Sequence, residues 1–439
     1  MKYKTPIIAF ILLSFSFSGG YSLAEEALTW EACLGEAKKN HPDLASAYEQ
    51  IKQYKAAKEV TRSTALPQIT GSASENTSKG AAFGSSGGTD QSGVAISSGG
   101  KGSSTTYQYA GSFQQLLFDG FKTSHNLSSA ERNISSSRYN YDVTSSNIRL
   151  RLRTAYANLL STAELVKVTE NIEARRKQNL ELVRLRYEGG REHKGSLMKS
   201  EADLAQAVYE VNQAKRAVYL TERQLTKELG RKNFSPVAIT GTLEVKDDQR
   251  ERPDFEGLAE STPLLQQLIV KKEAAKYGLL SAKAQFFPTV YASGNMGNVN
   301  KDAFPDKNQW AIGTTLSWPI FDGGSTIATV AQNRALVGQA EENERSGRDG
   351  VIYTLSNTWT QLQNAVDNVG VQRKILEATE ERARISEAEY SIGLLSYDNW
   401  IIIEDNLVSA KKSFVNAQNT AMIAEANWVQ AKGGTLDYD

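Results

Sequence analysis

The chain has 439 residues, and its 50 Lys plus Arg balance 50 Asp plus Glu, so the formal net charge is zero. This balance gives no basic bias toward nucleic acid or an anionic lipid surface. The single cysteine, Cys33, excludes an intrachain disulfide framework. We interpret Cys33 as a small buried helix residue, not as a lipid-attachment site.

Residues 1–24 are interpreted as a signal peptide for export. Lys2 and Lys4 precede a short apolar run, and small residues flank the expected cleavage site before Glu25. The apolar run is shorter than the roughly 20 residues of an ordinary membrane helix. An N-terminal anchor that stays in place is the alternative. No later stretch is long and apolar enough for a spanning helix, so we expect any membrane crossing to use β-strands.

The rest of the chain contains one sequence pattern twice. The first repeat covers 25–230 and the second covers 254–434, with a polar linker over 231–253 and a C-terminal tail over 435–439. Residues that mark the ends of predicted elements recur in the same order in both repeats: Pro42 and Pro263, Phe118-Asp119-Gly120 and Phe321-Asp322-Gly323, Tyr187 and Tyr390. Two related halves imply a pseudo-twofold architecture and not two independent domains.

Each repeat begins with short helices, predicted over 28–65 with a break at Pro42 and over 254–287 with a break at Pro263. A β-hairpin follows in each repeat, over 68–117 and over 289–318. Between these hairpin strands of the first repeat, residues 80–104 are rich in Gly and Ser and carry little charge. They predict a flexible surface loop.

The strand that ends the second hairpin has the clearest pattern. From Trp310 to Trp318, large apolar or β-branched residues alternate with small ones, and an aromatic residue stands at each end of one face. Outer-membrane strands need about 9–11 residues, an apolar lipid-facing side and aromatic residues at both interfaces. Tyr107 and Tyr109 occupy the first hairpin, and we predict that these four aromatic residues form a membrane girdle.

A long helical hairpin completes each repeat. Residues 68–235 and 320–439 contain no proline, which would break a helix interior. Apolar residues of the second repeat recur at alternating spacings of three and four, which predicts a coiled-coil seam: Ile352, Leu355, Trp359, Leu362, Val366 and Val369. After a glycine-containing turn, returning helices are predicted over 196–229 and 397–432.

Four strands per chain decide the assembly. The smallest membrane barrels have about eight strands, and an open sheet edge cannot be left in lipid. Chains must therefore share one barrel, with eight strands for a dimer or twelve for a trimer. An eight-stranded barrel is filled by side chains, so a conduit favours the trimer. The alternative is a pair of soluble β-hairpins that cap a helical rod.

These residues resemble the TolC family of outer-membrane channel proteins over essentially the whole mature chain. The resemblance rests on motifs shared with that family: Leu28-Thr29-Trp30-Glu31-Ala32, Asn40-His41-Pro42, Leu66-Pro67, Phe287-Pro288 and Trp318-Pro319-Ile320-Phe321-Asp322-Gly323-Gly324. It implies an α+β membrane protein. A long antiparallel α-helical coiled-coil barrel lies in the periplasm, and four β-strands per chain contribute to a trimeric twelve-stranded barrel in the outer membrane.

The resemblance also implies a function. The homotrimer would be the passive exit duct of a tripartite efflux pump or a type I secretion system, without cofactor or catalysis. Its partners would be a periplasmic adaptor, an inner-membrane RND or ABC transporter and the outer-membrane lipid. The runner-up is an exported coiled-coil rod or a periplasmic adaptor, and an enzyme is a distant third. The three histidines lie far apart and lack metal-ligand spacing.

Two kinds of turn are candidate sites. The strand-to-helix turns comprise Phe118, Asp119 and Gly120 in the first repeat and Phe321, Asp322, Gly323 and Gly324 in the second. Asp and Gly supply the turn conformations, and Ser325 or Thr326, with Thr123 or Ser124 in the first copy, are predicted to cap the next helix.

The turns between the long helices are the predicted adaptor-facing periplasmic tips. They are Gly189, Gly190, Arg191, Gly195 and Ser196 in the first repeat and Gly393, Leu394, Leu395 and Ser396 in the second. The Glu192-His193-Lys194 trio is interpreted as a solvated turn.

The periplasmic entrance is assigned to Asp398, Asn399 and Ile402. The resemblance places Asn399 and Ile402 where the family often has two aspartates, so the usual acidic gate is not expected. We hypothesise that Leu394, Leu395, Tyr397 and Trp400 make an apolar contact with another subunit or an adaptor. Ordinary coiled-coil core is the alternative.

Overall fold

The computed structural model of the protein describes residues 27–81, 101–245, 251–300 and 309–437. The predicted signal peptide lies outside these residues, as does most of the predicted Gly/Ser-rich loop. The ends of that loop are strand, because the first hairpin extends to Ala81 and resumes at Lys101. The prediction of a loop from residue 80 to residue 104 was therefore wrong at both ends.

The two repeats have the same order of elements. The first comprises α1 (Trp30–Asn40), α2 (Pro42–Ser63), β1 (Gln68–Ala81), β2 (Lys101–Phe118), α3 (Lys122–Glu188) and α4 (Lys194–Glu228). The second comprises α5 (Phe255–Ser261), α6 (Pro263–Ala284), β3 (Thr289–Asn300), β4 (Gln309–Ser317), α7 (Ser325–Ile392) and α8 (Tyr397–Ala431). The predicted breaks at Pro42 and Pro263 are confirmed, since each proline is the first residue of a helix.

The four strands form one antiparallel sheet in the order β1-β2-β3-β4. The central pair, β2 and β3, comes from different repeats, so the sheet joins the two halves of the chain. Both outer strands pair on one side only within the described residues: β1 with β2, and β4 with β3.

The long helices run away from the sheet. α3 has 67 residues and α7 has 68, and at 1.5 Å per residue each reaches about 100 Å. α3 packs against α4 and α7 packs against α8, while α3 also contacts α6 and α8 and so bridges the repeats. Among the described residues, no helix combines the length and hydropathy needed to cross a membrane.

The largest core lies about midway along α3. Cys33 of α1 is fully buried there, as predicted, with Ile148, Leu152 and Ala155 of α3. The linker contributes to this core and is not merely polar: Val237 is buried, and Ile239 forms a parallel bridge to Leu28. The prediction of a polar linker missed this role.

The segment after α8 also packs on this core. Leu436 is buried, and its N–H donates to Ser145 Oγ at 3.0 Å. Asp437 pairs with Lys38 of α1. The chain's last described residues therefore tie α8 to the first repeat.

Candidate functional site

One face of the sheet is apolar. Across the strands, Ile69 lies opposite Phe113, which lies opposite Gly294, which lies opposite Ile312. Because side chains alternate between faces, every second residue joins this row. Its exposed large apolar members are Ile69, Tyr109, Phe113, Met296, Trp310, Ile312 and Leu316. The polar residues Glu75, Thr77 and Thr314 stand in the same row.

The opposite face is polar. It carries Gln68, Thr70, Ser112, Gln114, Ser293, Asn295 and Thr315, with Leu116 and Tyr291 at its end nearest the helices, by the same register. The predicted girdle residues Tyr107, Tyr109 and Trp310 share the apolar face, and Trp318 continues it one residue beyond β4. A sheet with one apolar and one polar face can separate lipid from an aqueous lumen.

A bulge in β2 keeps this face continuous. The register shifts between Leu116 and Phe118, so that Phe118 lies opposite Val290. A bulge inserts one residue into a strand and re-aims the side chains that follow it. Phe118 therefore joins the apolar face just before the strand ends.

Each strand-to-helix turn is closed by its aspartate. Asp119 Oδ2 accepts from Thr123 N at 2.7 Å, and Asp322 Oδ2 accepts from Thr326 N at 2.8 Å. The prediction that Ser or Thr side chains cap α3 and α7 was wrong, since neither helix has a side-chain bond from its N-cap residue. Asp119 and Asp322 each lie three residues before the first residue of the helix. Their side chains extend past the glycine turn to the N–H of the second helical residue.

The glycines permit the left-handed backbone of these turns. Gly120 has φ 66°, while Gly323 and Gly324 have φ 68° and 89°. The residue equivalent to Gly324 is Phe121, which is the sole non-glycine residue with positive φ among those described, at 69°. The two turns therefore adopt the same left-handed backbone at equivalent positions, with phenylalanine in one and glycine in the other.

The first helical tip lies between α3 and α4. Gly190 has a left-handed backbone, and Arg191 N donates to Arg186 O at 2.8 Å, which closes the end of α3. His193 is the N-cap of α4, where its Nδ1 accepts from Ser196 N at 3.3 Å. Ser196 is buried and its hydroxyl donates to Glu192 Oε1 at 3.0 Å.

The second tip, between α7 and α8, is shorter and more apolar. Gly393 has φ 89° and ends α7. Leu394 is 78% exposed, whereas Leu395 is half-buried against neighbouring helices. Ser396 begins α8 without a side-chain cap bond.

Aromatic rings hold the two tips together. Tyr390 stacks on Trp400 with ring centroids 4.2 Å apart, and both pack with Tyr397 and with Val183 of α3. Trp400 is fully buried and Tyr397 nearly so. Of the four residues predicted to form an intersubunit or adaptor contact, Tyr397 and Trp400 therefore belong to this chain's core, and Leu394 remains exposed.

A hydrogen bond joins Glu192 of the first tip to Tyr390 of the second. The Tyr390 hydroxyl donates to Glu192 Oε2 at 3.0 Å. Burial, reinforced by this bond, raises the pKa of Tyr390 well above its usual range. The interpretation of the Glu192-His193-Lys194 trio as a solvated turn agrees with the exposure of His193 and Lys194, but it missed the hydrogen bonds that Glu192 and His193 make.

A polar layer lies just behind the tips. Glu404 of α8 is almost fully buried, and it accepts from Arg175 Nε at 2.6 Å and Nη2 at 2.7 Å and from Asn179 Nδ2 at 3.3 Å. Arg175 also reaches Glu387 of α7 at 3.1 Å. This layer joins α3, α7 and α8. Glu404 follows three isoleucines in α8, and this carboxylate within an apolar run was the sequence signal for the polar layer that our prediction missed.

The predicted entrance residues lie on the exposed face of α8. Asp398, Asn399 and Ile402 are all exposed, with Ile402 56% accessible. Asp405, one turn further, is paired with the buried Arg176 of α3. Across the described ranges, no group of three or more His, Cys, Asp or Glu could hold a metal ion.

Comparison with known proteins gives a consistent picture. The profile of the family described as outer membrane efflux protein matches residues 33–231 and 256–434. The outer membrane efflux protein BepC of Brucella suis is 23% identical over 98% of this chain and 90% of its own length.

Solved structures share the fold. The outer membrane protein VceC of Vibrio cholerae superposes with a TM-score of 0.75 at 18% identity, over 92% of this chain and 96% of its own. The open state of the MtrE outer membrane channel of Neisseria gonorrhoeae gives a TM-score of 0.78 at 16% identity, over 93% of this chain and 90% of its own.

Proposed function

This chain belongs to the outer membrane efflux protein family and is an exit duct in the outer membrane, and we propose that it acts as a trimer gated at its helical tips. The helical part extends into the periplasm. The observation that carries the proposal is one sheet with an apolar face, continued by helices of about 100 Å. Both edges of this sheet are unpaired in the part of the chain that the structure describes.

The sheet edges require other copies of the chain. An unpaired backbone group in lipid costs several kcal/mol, so the outer edges of β1 and β4 must pair with neighbouring sheets. Two copies would give eight strands, a number that side chains fill, whereas three give twelve and leave a lumen. The polar face of each sheet would line that lumen.

The helices would continue the lumen into the periplasm. α3 and α7 each begin within a few residues of a strand end, so both start at the membrane boundary. α4 and α8, with 35 residues each, return along only half of that distance. We infer a paired-helix tunnel in its distal half, with the tips at its far end.

The tips would form the entrance and contact the adaptor. The aromatic cluster, the bond between Tyr390 and Glu192 and the layer around Glu404 hold the α7–α8 hairpin against the α3–α4 hairpin. Opening would require these contacts to separate, and an adaptor that bound the separated tips would favour the open state. An inner-membrane RND or ABC transporter would supply the energy, for efflux or for type I secretion.

Leu394 is the sharpest test of adaptor contact. Its side chain is 78% exposed at the second tip. In cells that lack their own copy of the duct, L394D should lower dye efflux on the order of tenfold, because a buried unpaired carboxylate costs more than the 1.4 kcal/mol that a tenfold change represents.

The control is L220D, which places the same charge at an exposed leucine of α4. Both variants should give the wild-type amount of heat-resistant trimer in the outer membrane. Normal efflux by L394D would refute adaptor contact at this tip. Recovery of the wild-type protein as a monomer would refute the trimer itself.

A further inference from the structure

Each repeat contains a junction at which a returning long helix ends against the start of a shorter helix. In the first repeat α4 is followed by Gly230, where a Cβ atom would collide with Asn40 O just before α2. In the second repeat α8 is followed closely by Gly433, where a Cβ atom would collide with Pro263 of α6. Both glycines have a left-handed backbone, with φ of 74° and 82°. The two places are therefore equivalent in the internal repeat, and we call them the first and the second junction.

Side chains fill the first junction. His41 and Glu228 are nearly fully buried, and His41 Nε2 lies 3.6 Å from Glu228 Oε2. Arg151 Nε lies 3.2 Å from the same oxygen. The His41 ring also caps α2, because its Nδ1 accepts from Asp43 N at 3.2 Å. A planar ring with an acceptor atom therefore occupies the start of α2.

Smaller residues stand at the equivalent positions of the second junction. The residues that correspond to His41, Arg151 and Glu228 through the repeat are Thr262, Thr354 and Ala431. These three cannot fill the space that an imidazole, a guanidinium and a carboxylate fill in the first junction. A cavity of about 360 Å³ remains, and α3, α6, α7 and α8 of the same chain form its walls.

The walls of this cavity are mostly apolar, with side chains from Val143, Pro263, Leu264, Val351 and Ala431. Its two threonine hydroxyls are already used as donors. Thr262 Oγ1 donates to Ala259 O at 2.7 Å, and Thr354 Oγ1 donates to Gly350 O at 2.8 Å. A hydroxyl has one proton, so these oxygens can only accept a further hydrogen bond. The cavity therefore suits an apolar molecule that carries a hydrogen-bond donor.

The start of α6 offers the complementary group. Thr262 is the N-cap residue of α6 but makes no side-chain cap bond to it. The N–H that His41 caps in the first repeat, on Asp43, corresponds to the N–H of Leu264. The first N–H groups of a helix have no partner within that helix, and Leu264 lines the cavity. An acceptor atom on a bound molecule can therefore take the place of the imidazole nitrogen.

We propose that the second junction binds a neutral aromatic alcohol of one or two fused rings. Its ring takes the place that the His41 ring has in the first junction, its hydroxyl oxygen accepts from the Leu264 N–H, and its hydroxyl proton is donated to Thr262 Oγ1. A cavity of about 150 Å³ holds benzene, so about 360 Å³ has room for two fused rings. A phenolic hydroxyl with a pKa of about 10 is uncharged at neutral pH, so binding buries no unpaired charge. All four walls belong to one chain, and the site does not depend on the proposed trimer.

Photolabelling of the full-length protein in detergent tests the location. The probe is 4-azidophenol, and mass spectrometry of the digested protein identifies the labelled peptides. Labelling should saturate at residues 262–264, 350–354 or 430–433, which line the cavity. An excess of 2-naphthol should displace it there. Labelling that does not saturate at the cavity, including the result expected if a neighbouring copy closes its mouth, would overturn the proposal.

G350L fills the cavity without disturbing its walls. Gly350 lines the cavity, and no atom lies within 4 Å of a Cβ built there. The matched control is G338L, which makes the same substitution in α7 at a glycine that also has open space but lies outside the cavity. Both variants replace a helical glycine with a better helix former, so both should unfold at the wild-type temperature or above it.

The two variants should differ in binding. Saturable labelling should persist in G338L and fall about tenfold or more in G350L, and 2-naphthol should raise the unfolding temperature of the wild type and of G338L but not of G350L. Equal labelling of all three proteins would show adsorption elsewhere on the surface and overturn the site.

Phenol and toluene separate recognition of the hydroxyl from simple apolar filling. The two molecules have nearly the same size, but toluene has no hydroxyl. Toluene should displace the probe about tenfold more weakly than phenol, because one neutral hydrogen bond contributes on the order of 1 kcal/mol. Equal displacement by both would overturn the assignment of an aromatic alcohol.

Discussion

The two helical tips occupy equivalent places in the repeats but are stabilised differently. The first tip closes on itself, since Glu192 and His193 bond to Ser196 within six residues. The second tip has no such local bonds around Ser396, and its aromatic residues pack against the first tip instead. The first tip is therefore stabilised by hydrogen bonds within its own turn, while the second is stabilised by packing against the first.

This difference suggests which part moves. A segment held by contacts between helices can separate when those contacts are replaced, whereas a segment closed by its own hydrogen bonds moves as a unit. We expect the α7–α8 tip to leave the α3–α4 tip when the entrance opens.

The largest expected effect comes from the polar layer around Glu404. E404A removes the buried carboxylate that Arg175 and Asn179 share, and it leaves Arg175 with only the half-exposed Glu387. Loss of one member of a buried ion pair costs about 3–5 kcal/mol, and because Arg175 is partly exposed we expect about 3 kcal/mol. Hydrogen exchange of the amides at the start of α8 should report this loss.

The control for the polar layer is E387A. Glu387 contacts the same arginine but is nearly half exposed, so its removal should cost less than about 1 kcal/mol. Equal losses for E404A and E387A would contradict the assignment of Glu404 as the residue that joins the repeats.

A smaller effect is expected for the bond between the tips. Y390F removes the hydrogen bond to Glu192 and should cost about 1.5 kcal/mol, because the acceptor is charged and partly exposed. The same exchange experiment should show loosening of the second tip. The exposed tyrosine of α4, replaced in Y209F, should change nothing there.

Tyr390 also predicts a pH dependence. A tyrosine whose pKa is raised on folding contributes stability that is fully present below the ordinary tyrosine pKa of about 10 and is lost as the pH rises above it. Tyr397, whose pKa burial also raises, acts in the same direction. Tip protection should fall in the wild type at alkaline pH and fall less in Y390F. An identical pH profile for both would exclude Tyr390 as the source.

The smallest expected effect is the difference between the N-caps of α4 and α8. H193A removes the side-chain acceptor at the start of α4 and should cost about 1 kcal/mol. S396A removes a hydroxyl that makes no cap bond to α8, so its cost should be a few tenths of a kcal/mol at most. Amide exchange in the first turn of each helix measures both. A larger loss in S396A would reverse the distinction between the tips.

Much of the fold could be predicted from the chain because its signals are periodic. Proline positions, the three-four spacing of α7 and the alternation in β4 each specify a local structure. The capping aspartates were missed, since Ser and Thr at the helix start are the usual caps, whereas Asp119 lies before the turn and reaches forward to Thr123. The assignment of Tyr397 and Trp400 to an external contact was wrong because spacing gives a helix face but not what covers it.

By itself, the sequence determined the duplication, the lengths of the long helices and the two-faced strands, because these depend on residues close together in the chain. Only the tertiary structure decided that Glu192 meets Tyr390 and that Glu404 is buried against Arg175. Those contacts join residues from different repeats, and their formation depends on how the helices and strands pack, which no local pattern encodes.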